Sequence, residues 1–395
     1  MHHMTEEGCP GYGRLQHARI ITTIVMPTAI SLLCHMIFQW MKERSSTMTT
    51  DARTCWYQKH HLLACAARHG FSVTESRFDE WVERGLMGEA QMRVWPGRGS
   101  HAWWSHAQLT LFLDLLAFRQ RTSSTFPFRQ LFHLPVWRWL YWGSLGGVTL
   151  KQVKRALSTW VDLQQKVPET QVRQDVTRGM RQYQGPKAAD IRPLIDEYTQ
   201  IMTFHKPVER DVLQHVLDPV VNAYPKKAAK GPVRTWMDPA DVWSLMMSLC
   251  WEVVRDKALL LGLPDAFWEW ARCFVLIGPA LMNGEDRARL ATDPVLGALF
   301  QRQTVHSLRF QSCQALLTWL GMATQRELAP WHLPAGRFLD PEAWQQGEVT
   351  WTHETHIGCS PLVLPGGKPI PYLCNTITLS HRERQQPFAV ALPFL

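Results

Sequence analysis

The stretch between Leu62 and Arg121 constrains the fold most, because short amphipathic runs alternate there with residues that start or stop helices. The first run, His60 to His69, places its apolar residues on one helical face. Gly70 follows directly and is the residue type that ends a helix in the left-handed conformation. We therefore predict a short helix that stops at Gly70.

A second run follows after a few residues. Ser72 and Glu75 have the spacing of a capping box, in which the hydroxyl and the carboxylate each accept from a backbone amide. Phe78 and Trp81 form the apolar stripe with Val82, and Gly85 ends the run. Two short helices joined by a tight turn predict a helix-turn-helix, whose second helix can enter the DNA major groove.

A basic turn comes next. Arg93 to His101 holds one proline and two glycines among its basic residues, which predicts a hairpin that reaches phosphates as a wing. Ser105 and Gln108 form another capping box and open an apolar helix that runs to Gln120. This helix carries more Leu and Phe than one face can bury, so we expect the C-terminal part or a second subunit to cover it.

This pattern resembles the mercury-resistance regulator (MerR) family. The resemblance covers residues 60–157 and rests on Trp81 with the following Glu-Arg-Gly-Leu, on the Gly-Arg-Gly wing before Trp103-Trp104, and on Ser105. The stretch Leu145–Leu157, with a third capping box at Thr149 and Gln152, is similar to the family's fourth helix. The resemblance implies a winged helix-turn-helix, binding to double-stranded DNA as a homodimer, and signal sensing by the C-terminal part.

Two positions depart from the family's pattern: Asp79 stands where an arginine is usual, and Val82 where a glutamate is usual. We predict that the DNA-binding surface is the second helix with the wing, and that its residues are Ser72, Thr74, Arg77, Arg84, Arg93, Arg98 and His101.

The charge favours a polyanionic partner. The formal net charge is +8, and the sequence pI is about 9.1. The segment Ser123–Lys187 holds ten Lys and Arg against three Asp and Glu. We expect a DNA-binding transcriptional regulator. The alternatives are an interaction module of a mobile-element or defence system without operator specificity, and a helix-turn-helix that packs only against protein.

The remaining chain predicts a mainly α fold with a small β-rich end. The 19 tryptophans and the apolar fraction of 46% permit a sizeable core. The stretch Phe126–Trp142 is interpreted as a buried connector whose arginines extend outward. Helices are predicted over 190–200, 208–221, 238–261, 265–277 and 293–320, and short strands near Val349, Pro361, Ile377 and Phe388. The predicted segments are an extension (1–47), a winged helix-turn-helix (48–125), the connector and a helix (126–185), a helical domain (190–330) and a β-rich end (331–395).

The N-terminus has two interpretations. Residues 20–38 lack Asp, Glu, Lys and Arg, and their number approaches that of a membrane span. Pro27 and several polar residues weaken that span, so we expect Met48 to be the true start and residues 1–47 to be non-native or poorly ordered. A membrane anchor is the alternative. Nine cysteines without CxxC pairs indicate reduced thiols, and a cytoplasmic protein is expected.

The sequence carries no recognisable catalytic motif. His353 and His356, with Cys359 downstream, come nearest to a zinc pattern, but the spacing is not HExxH and no second tight pair completes it. The Gly366-Gly367-Lys368 triplet lacks the phosphate-loop spacing. We therefore expect no metal, no cofactor and no enzyme. A third alternative is an enzyme that acts on nucleic acid, which would require clusters of acidic residues or histidines.

Overall fold

The structure, a computed structural model, describes residues 55–95, 99–121, 128–184, 192–203, 250, 253–281, 305–324, 340–364, 368–381 and 384–393. These residues all fall within one unit, Asp51–Leu395. The predicted extension 1–47 with its apolar run, the predicted helix 208–221 and the predicted contact residue Arg98 lie outside the described residues.

The described chain begins with a short strand and two helices. Strand β1 is Trp56–Tyr57, helix α1 is Lys59–Arg68 and helix α2 is Glu75–Glu83. Gly70 and Gly85 follow these helices with a φ of +80° each, which confirms both predicted helix ends. At Gly85 a Cβ atom would also lie 2.4 Å from the backbone nitrogen of Ala156, so this turn has no room for a side chain.

The start of α2 differs from the prediction. Thr74 is the N-cap, and its Oγ1 accepts a hydrogen bond from the backbone N–H of Arg77 at 3.2 Å. Ser72 lies exposed in the preceding turn, so the capping box predicted for Ser72 and Glu75 is wrong. Both hydroxyl residues are suitable caps locally, and the docking of Phe78 and Trp81, which are fully buried, decides between them.

A β-hairpin and a long helix complete this part. Strands β2 (Gln91–Trp95) and β3 (Gly99–Ser105) are antiparallel, and the sheet order is β1-β3-β2. Helix α3 is His106–Arg121, and Ser105 Oγ accepts from the backbone N–H of Gln108 at 3.3 Å, which confirms the predicted cap. The buried apolar residues of α3 are Leu109, Leu111, Phe112, Leu113, Leu115 and Leu116.

The connector is buried, as predicted. Its described residues form a 3₁₀ helix (Phe128–Phe132) and helix α4 (His133–Trp142), and a second 3₁₀ helix (Gly143–Gly146) follows. Its Arg138 does not extend outward: only 5% of the side chain is exposed, and it donates to Asp114 on α3 at 2.5 Å. The prediction of outward arginines is therefore wrong for Arg138, because Asp114 and the carbonyl of Ala107 offer acceptors inside the fold.

Helix α5 is Leu150–Gln165, and the predicted cap Thr149 accepts from the backbone N–H of Gln152 at 3.2 Å. Helices α6 (Glu169–Gln184) and α7 (Arg192–Met202) pack together around Val176. The later helices are α8 (Lys257–Gly262), α9 (Asp265–Leu281), α10 (Val305–Thr324) and α11 (Pro341–Gln345), and α9 packs against α4 and α10. The helix predicted to run to Leu261 is interrupted at Asp256, whose carboxylate caps α8.

The C-terminal sheet is confirmed. Strands β4 (Val349–Leu364), β5 (Lys368–His381) and β6 (Arg384–Pro393) are antiparallel in the order β4-β5-β6. β4 is one long strand with a register shift between Cys359 and Val363, where two separate short strands were predicted. The described chain is thus mainly helical with small antiparallel sheets, as predicted. Among its helices, none is long and apolar enough to cross a membrane.

Candidate nucleic-acid interface

Helix α2 and the β2–β3 hairpin are held side by side by aromatic packing at the base of the hairpin. The ring of Trp104 on β3 meets the ring of Phe78 edge to face, with 5.2 Å between centroids. Phe112 on α3 packs against Phe78 at 5.3 Å and against Trp81 at 5.9 Å. The position of α2 relative to the hairpin is therefore determined by a buried cluster of four aromatic rings.

A buried pair of glutamines reinforces this junction. Gln108 Nε2 donates to Gln152 Oε1 and to the carbonyl of Gly147, both at 2.8 Å. Gln108 Oε1 accepts from the backbone N–H of Gly88, and Gln152 Nε2 donates to the carbonyl of Leu86. These side chains satisfy the backbone of the α2–hairpin connection and link it to the N-termini of α3 and α5. Neither glutamine reaches back to its own cap, contrary to the capping boxes that we predicted.

The surface of α2 is more acidic than a groove-reading helix usually is. The stretch Glu75–Arg84 holds four acidic and two basic residues. Arg84 pairs with Glu80 at 3.0 Å, and Arg77 approaches the same carboxylate at 3.8 Å. Asp79 pairs with Lys59 on α1 at 2.7 Å. Arg77 and Arg84, two of the four arginines predicted to contact DNA, are thus partly neutralised by Glu80.

The two faces of the hairpin differ in character. Arg93 lies on the face that also carries Trp103, and its guanidinium carbon stands 3.7 Å from the centroid of the Trp56 ring. His101 is exposed and pairs with Arg93 across the strands. On the other face, Met92 and Val94 are 64% and 79% exposed. The sequence between Gln91 and Ser105 contains no acidic residue.

The predicted contact residues therefore occupy three places. Ser72 and Thr74 lie exposed at the start of α2, although Thr74 is committed to its cap. Arg77 and Arg84 lie along α2, and Arg93 and His101 lie on one face of the hairpin. Met92 and Val94 were not predicted to belong to the site. Because side chains alternate between the two faces of a strand, the sequence of β2 already indicates that these two residues share a face.

A salt-bridged carboxylate joins the hairpin base to α5, and sequence reasoning missed it. Glu89 accepts hydrogen bonds from Lys151, at 2.6 Å, and from Arg155. These bonds lower the pKa of the Glu89 carboxyl below its ordinary value. Two of the basic residues in the segment 123–187 therefore pair with a surface carboxylate, so this segment offers less free positive charge than its composition suggests.

A second polar cluster lies between helix α9 and the C-terminal sheet. Arg272 Nη2 donates to His353 Nδ1 at 2.9 Å, and His353 Nε2 donates to Asn375 Oδ1 at 2.7 Å. Because a guanidinium only donates, His353 must accept at Nδ1 and is neutral. Burial, with the nearby charge of Arg272, lowers the pKa of His353 to about 4. The cluster links α9 to the sheet, and its hydrogen bonds fix the tautomer of His353.

The zinc pattern is broken by strand geometry. His353 and His356 are an odd number of residues apart on β4, so they point to opposite faces of the sheet and cannot share one ion. Within the part of the chain that the structure describes, no group of three or more His, Cys, Asp or Glu side chains is placed to hold a metal. Comparison with family models, curated proteins and solved structures finds no match for this chain.

Proposed function

We propose that the protein binds double-stranded DNA through a winged helix-turn-helix formed by α1, α2, the β2–β3 hairpin and α3. The observation that supports this most is the hairpin: it lacks acidic residues, carries Arg93 and Arg98, and is locked beside α2 by Trp104. Arginines and backbone amides on such a hairpin contact phosphates and position the protein on the duplex. The resemblance to the MerR family adds the expectation of a homodimer that regulates transcription, with an effector or partner at the C-terminal part.

The charges of α2 predict how binding energy is divided. Arg77 and Arg84 must exchange Glu80 for phosphate, whereas the hairpin has no acidic residue to compete. We therefore assign most of the phosphate contacts to the hairpin. We assign to α2 a smaller share of the contacts to base edges. Binding should depend steeply on salt, since each phosphate contact releases condensed counterions.

The first prediction concerns Arg98 at the hairpin turn. Arg98→Ala should weaken binding to all duplex sequences and lower the slope of log K against log salt by about one unit, as expected for one lost phosphate contact. Fluorescence anisotropy with a labelled duplex between low and physiological salt measures both quantities.

Arg173→Ala is the matched control, because it removes the same charge from exposed helix α6. An unchanged slope in the Arg98 variant would remove this residue from the interface. Absence of any duplex binding by the wild-type protein, even at low salt, would overturn the proposed function. Selection from genomic fragments then separates a regulator, which enriches a few sites, from a general binder.

A second candidate function is protein docking, and the acidic surface of α2 favours it. Glu75 and Asp79 are 72% and 52% exposed, and Glu83 is exposed on the same helix. A basic protein partner would complement this surface better than a phosphate backbone does. The substitutions Glu75→Gln and Glu83→Gln distinguish the two: they should strengthen DNA binding, but weaken a complex with a basic partner.

A further inference from the structure

The polar cluster between α9 and the C-terminal sheet leaves two buried donors without an acceptor. Arg272 Nε and Asn375 Nδ2 have no hydrogen-bond partner among the described residues. Asn375 has no exposed surface, and only 11% of the Arg272 side chain is exposed. Since buried polar groups in folded proteins are nearly always hydrogen-bonded, these two donors call for an acceptor from outside the chain.

The hydrogen bonds that start at Arg272 determine which end of Asn375 is left unpartnered. A guanidinium only donates, so His353 accepts at Nδ1 and donates at Nε2. Asn375 must therefore turn its oxygen toward His353, and Thr355 Oγ1 donates to the same oxygen at 3.2 Å. Exchange of the amide oxygen and nitrogen would place N–H donors against each other. The free N–H groups of Asn375 are thus a fixed feature of the fold.

The charge of Arg272 indicates the kind of acceptor. Its guanidinium lies between two indole rings, and the carboxylate paired with it among the described residues is Glu269, 3.4 Å from Nη1. Burial raises the pKa of the Glu269 carboxyl even beside Arg272, so Glu269 is a weak counterion. Because buried charges are normally paired, an anion is favoured over a neutral acceptor. A single negative charge is favoured over two, since Glu269 repels the second.

We propose that the junction between α9 and the C-terminal sheet binds a small monocarboxylate, whose oxygens accept from Arg272 Nε and Asn375 Nδ2. A carboxylate carries two acceptor oxygens and one negative charge, which match two unpartnered donors and one weakly paired guanidinium. His353 is a positioning residue here, because its two ring nitrogens orient both donor side chains. This site does not involve α2 or the β2–β3 hairpin, so the inference does not depend on the proposed DNA binding.

Isothermal titration calorimetry with sodium acetate at pH 7 tests the proposal, with sodium chloride holding the ionic strength constant. Acetamide and inorganic phosphate are the comparison probes: acetamide has nearly the shape of acetate without its charge, and phosphate carries additional charge. For so small a ligand we expect an acetate Kd on the order of 1 mM. Both comparison probes should bind at least about tenfold less tightly.

Two variants locate the site. Asn375→Asp keeps the oxygen that accepts from His353 and replaces the unpartnered N–H donors by an oxygen, so acetate should bind about tenfold less tightly. Arg272→Lys keeps a cation on α9 but lacks the Nε donor, and it should weaken binding to a similar degree. Thr378→Asp is the matched control, because it adds the same charge to β5 on the opposite face of the sheet and should leave the Kd unchanged. Circular dichroism verifies that each variant is folded.

The titrations also define what would overturn the proposal. If the wild-type protein binds no acetate even at about 100 times the expected Kd, the two donors bind only water. Acetamide or phosphate binding as tight as acetate binding would refute the choice of a monocarboxylate. Acetate affinity that is unchanged in either folded variant would remove the ligand from this junction. None of these results bears on duplex binding, which the anisotropy titration measures separately.

Discussion

At the scale of single residues, the aromatic rings under α2 determine where the helix can lie. Phe78, Trp81 and Phe112 are fully buried and meet edge to face, an arrangement that adds to the free energy of burial. The indole Nε1 of Trp81 has no hydrogen-bond partner, so its contribution is packing. Trp81 thus holds the candidate interface in place without belonging to it.

We predict that Trp81→Ala lowers the free energy of unfolding by roughly 3–5 kcal/mol, the range for emptying a large aromatic site. Urea unfolding followed by circular dichroism measures this change. Trp81→Phe is the control, because it keeps a ring beside Phe112 and should cost less. A Trp81→Ala variant that melts like the wild type but no longer binds DNA would show that Trp81 contacts the ligand directly.

At the scale of elements, the link between α9 and the C-terminal sheet depends on a neutral histidine. Arg272 lies between the rings of Trp139 and Trp351, 4.9 Å and 5.2 Å from their centroids, and donates to His353. Protonated His353 would place a second cation against this guanidinium. The ordinary pKa of histidine is 6.5, and burial lowers the pKa of His353 to about 4, so the folded protein resists protonation.

This shift predicts how stability depends on pH. Above pH 6.5 neutral His353 makes its full contribution to the free energy of unfolding. As pH falls from 6.5 toward 4, the unfolded chain takes up a proton that the folded chain does not, and stability falls by up to about 1.4 kcal/mol per pH unit. Burial also lowers the pKa of His133 to about 3, so this residue adds a further loss of stability as the pH falls.

The measurement is the free energy of unfolding in urea at pH 7, 6 and 5, for the wild type and for His353→Gln. The variant cannot titrate at this position, so its stability should depend less steeply on pH. His356→Gln is the control, because it makes the same substitution at a histidine that is exposed on the other face of the sheet, away from the contact between Arg272 and His353. Equal slopes in the wild type and His353→Gln would contradict the role assigned to His353.

At the scale of the whole molecule, the apolar surplus of α3 is covered within one chain. Leu111 and Leu115 have no exposed surface, and α3 packs against α1, α4, β1, β3 and the 3₁₀ helix Phe128–Phe132. The surplus therefore does not require a second subunit. A homodimer of this protein stays a proposal from the family resemblance, and its interface would have to use another surface.

Leu115→Ala tests this separation of folding from association. We expect it to lower the free energy of unfolding by about 2–5 kcal/mol, the range for a leucine removed from a core, and to leave the sedimentation coefficient unchanged. Analytical ultracentrifugation at micromolar concentration, beside thermal melting, measures both. A variant that dissociates without losing stability would place α3 at a subunit interface.

The local features of this protein follow from its sequence. Gly70 and Gly85 end helices because they adopt positive φ at little cost, and Ser105 and Thr149 cap helices through bonds to an amide three residues ahead. The terminal strands follow in the same way from short β-prone runs that Pro and Gly separate. These signals are local, since cause and effect lie within a few residues.

Which residues meet across the fold depends on how the helices and strands pack together. Gln108 and Gln152 were predicted to serve their own helices, but they bond to each other because docking brings two helix N-termini together. Arg138 turned inward because Asp114 lies within reach, and Thr74 became the cap because packing selected it over Ser72. A buried polar group takes whichever partner the fold offers, and composition does not show which partner that is.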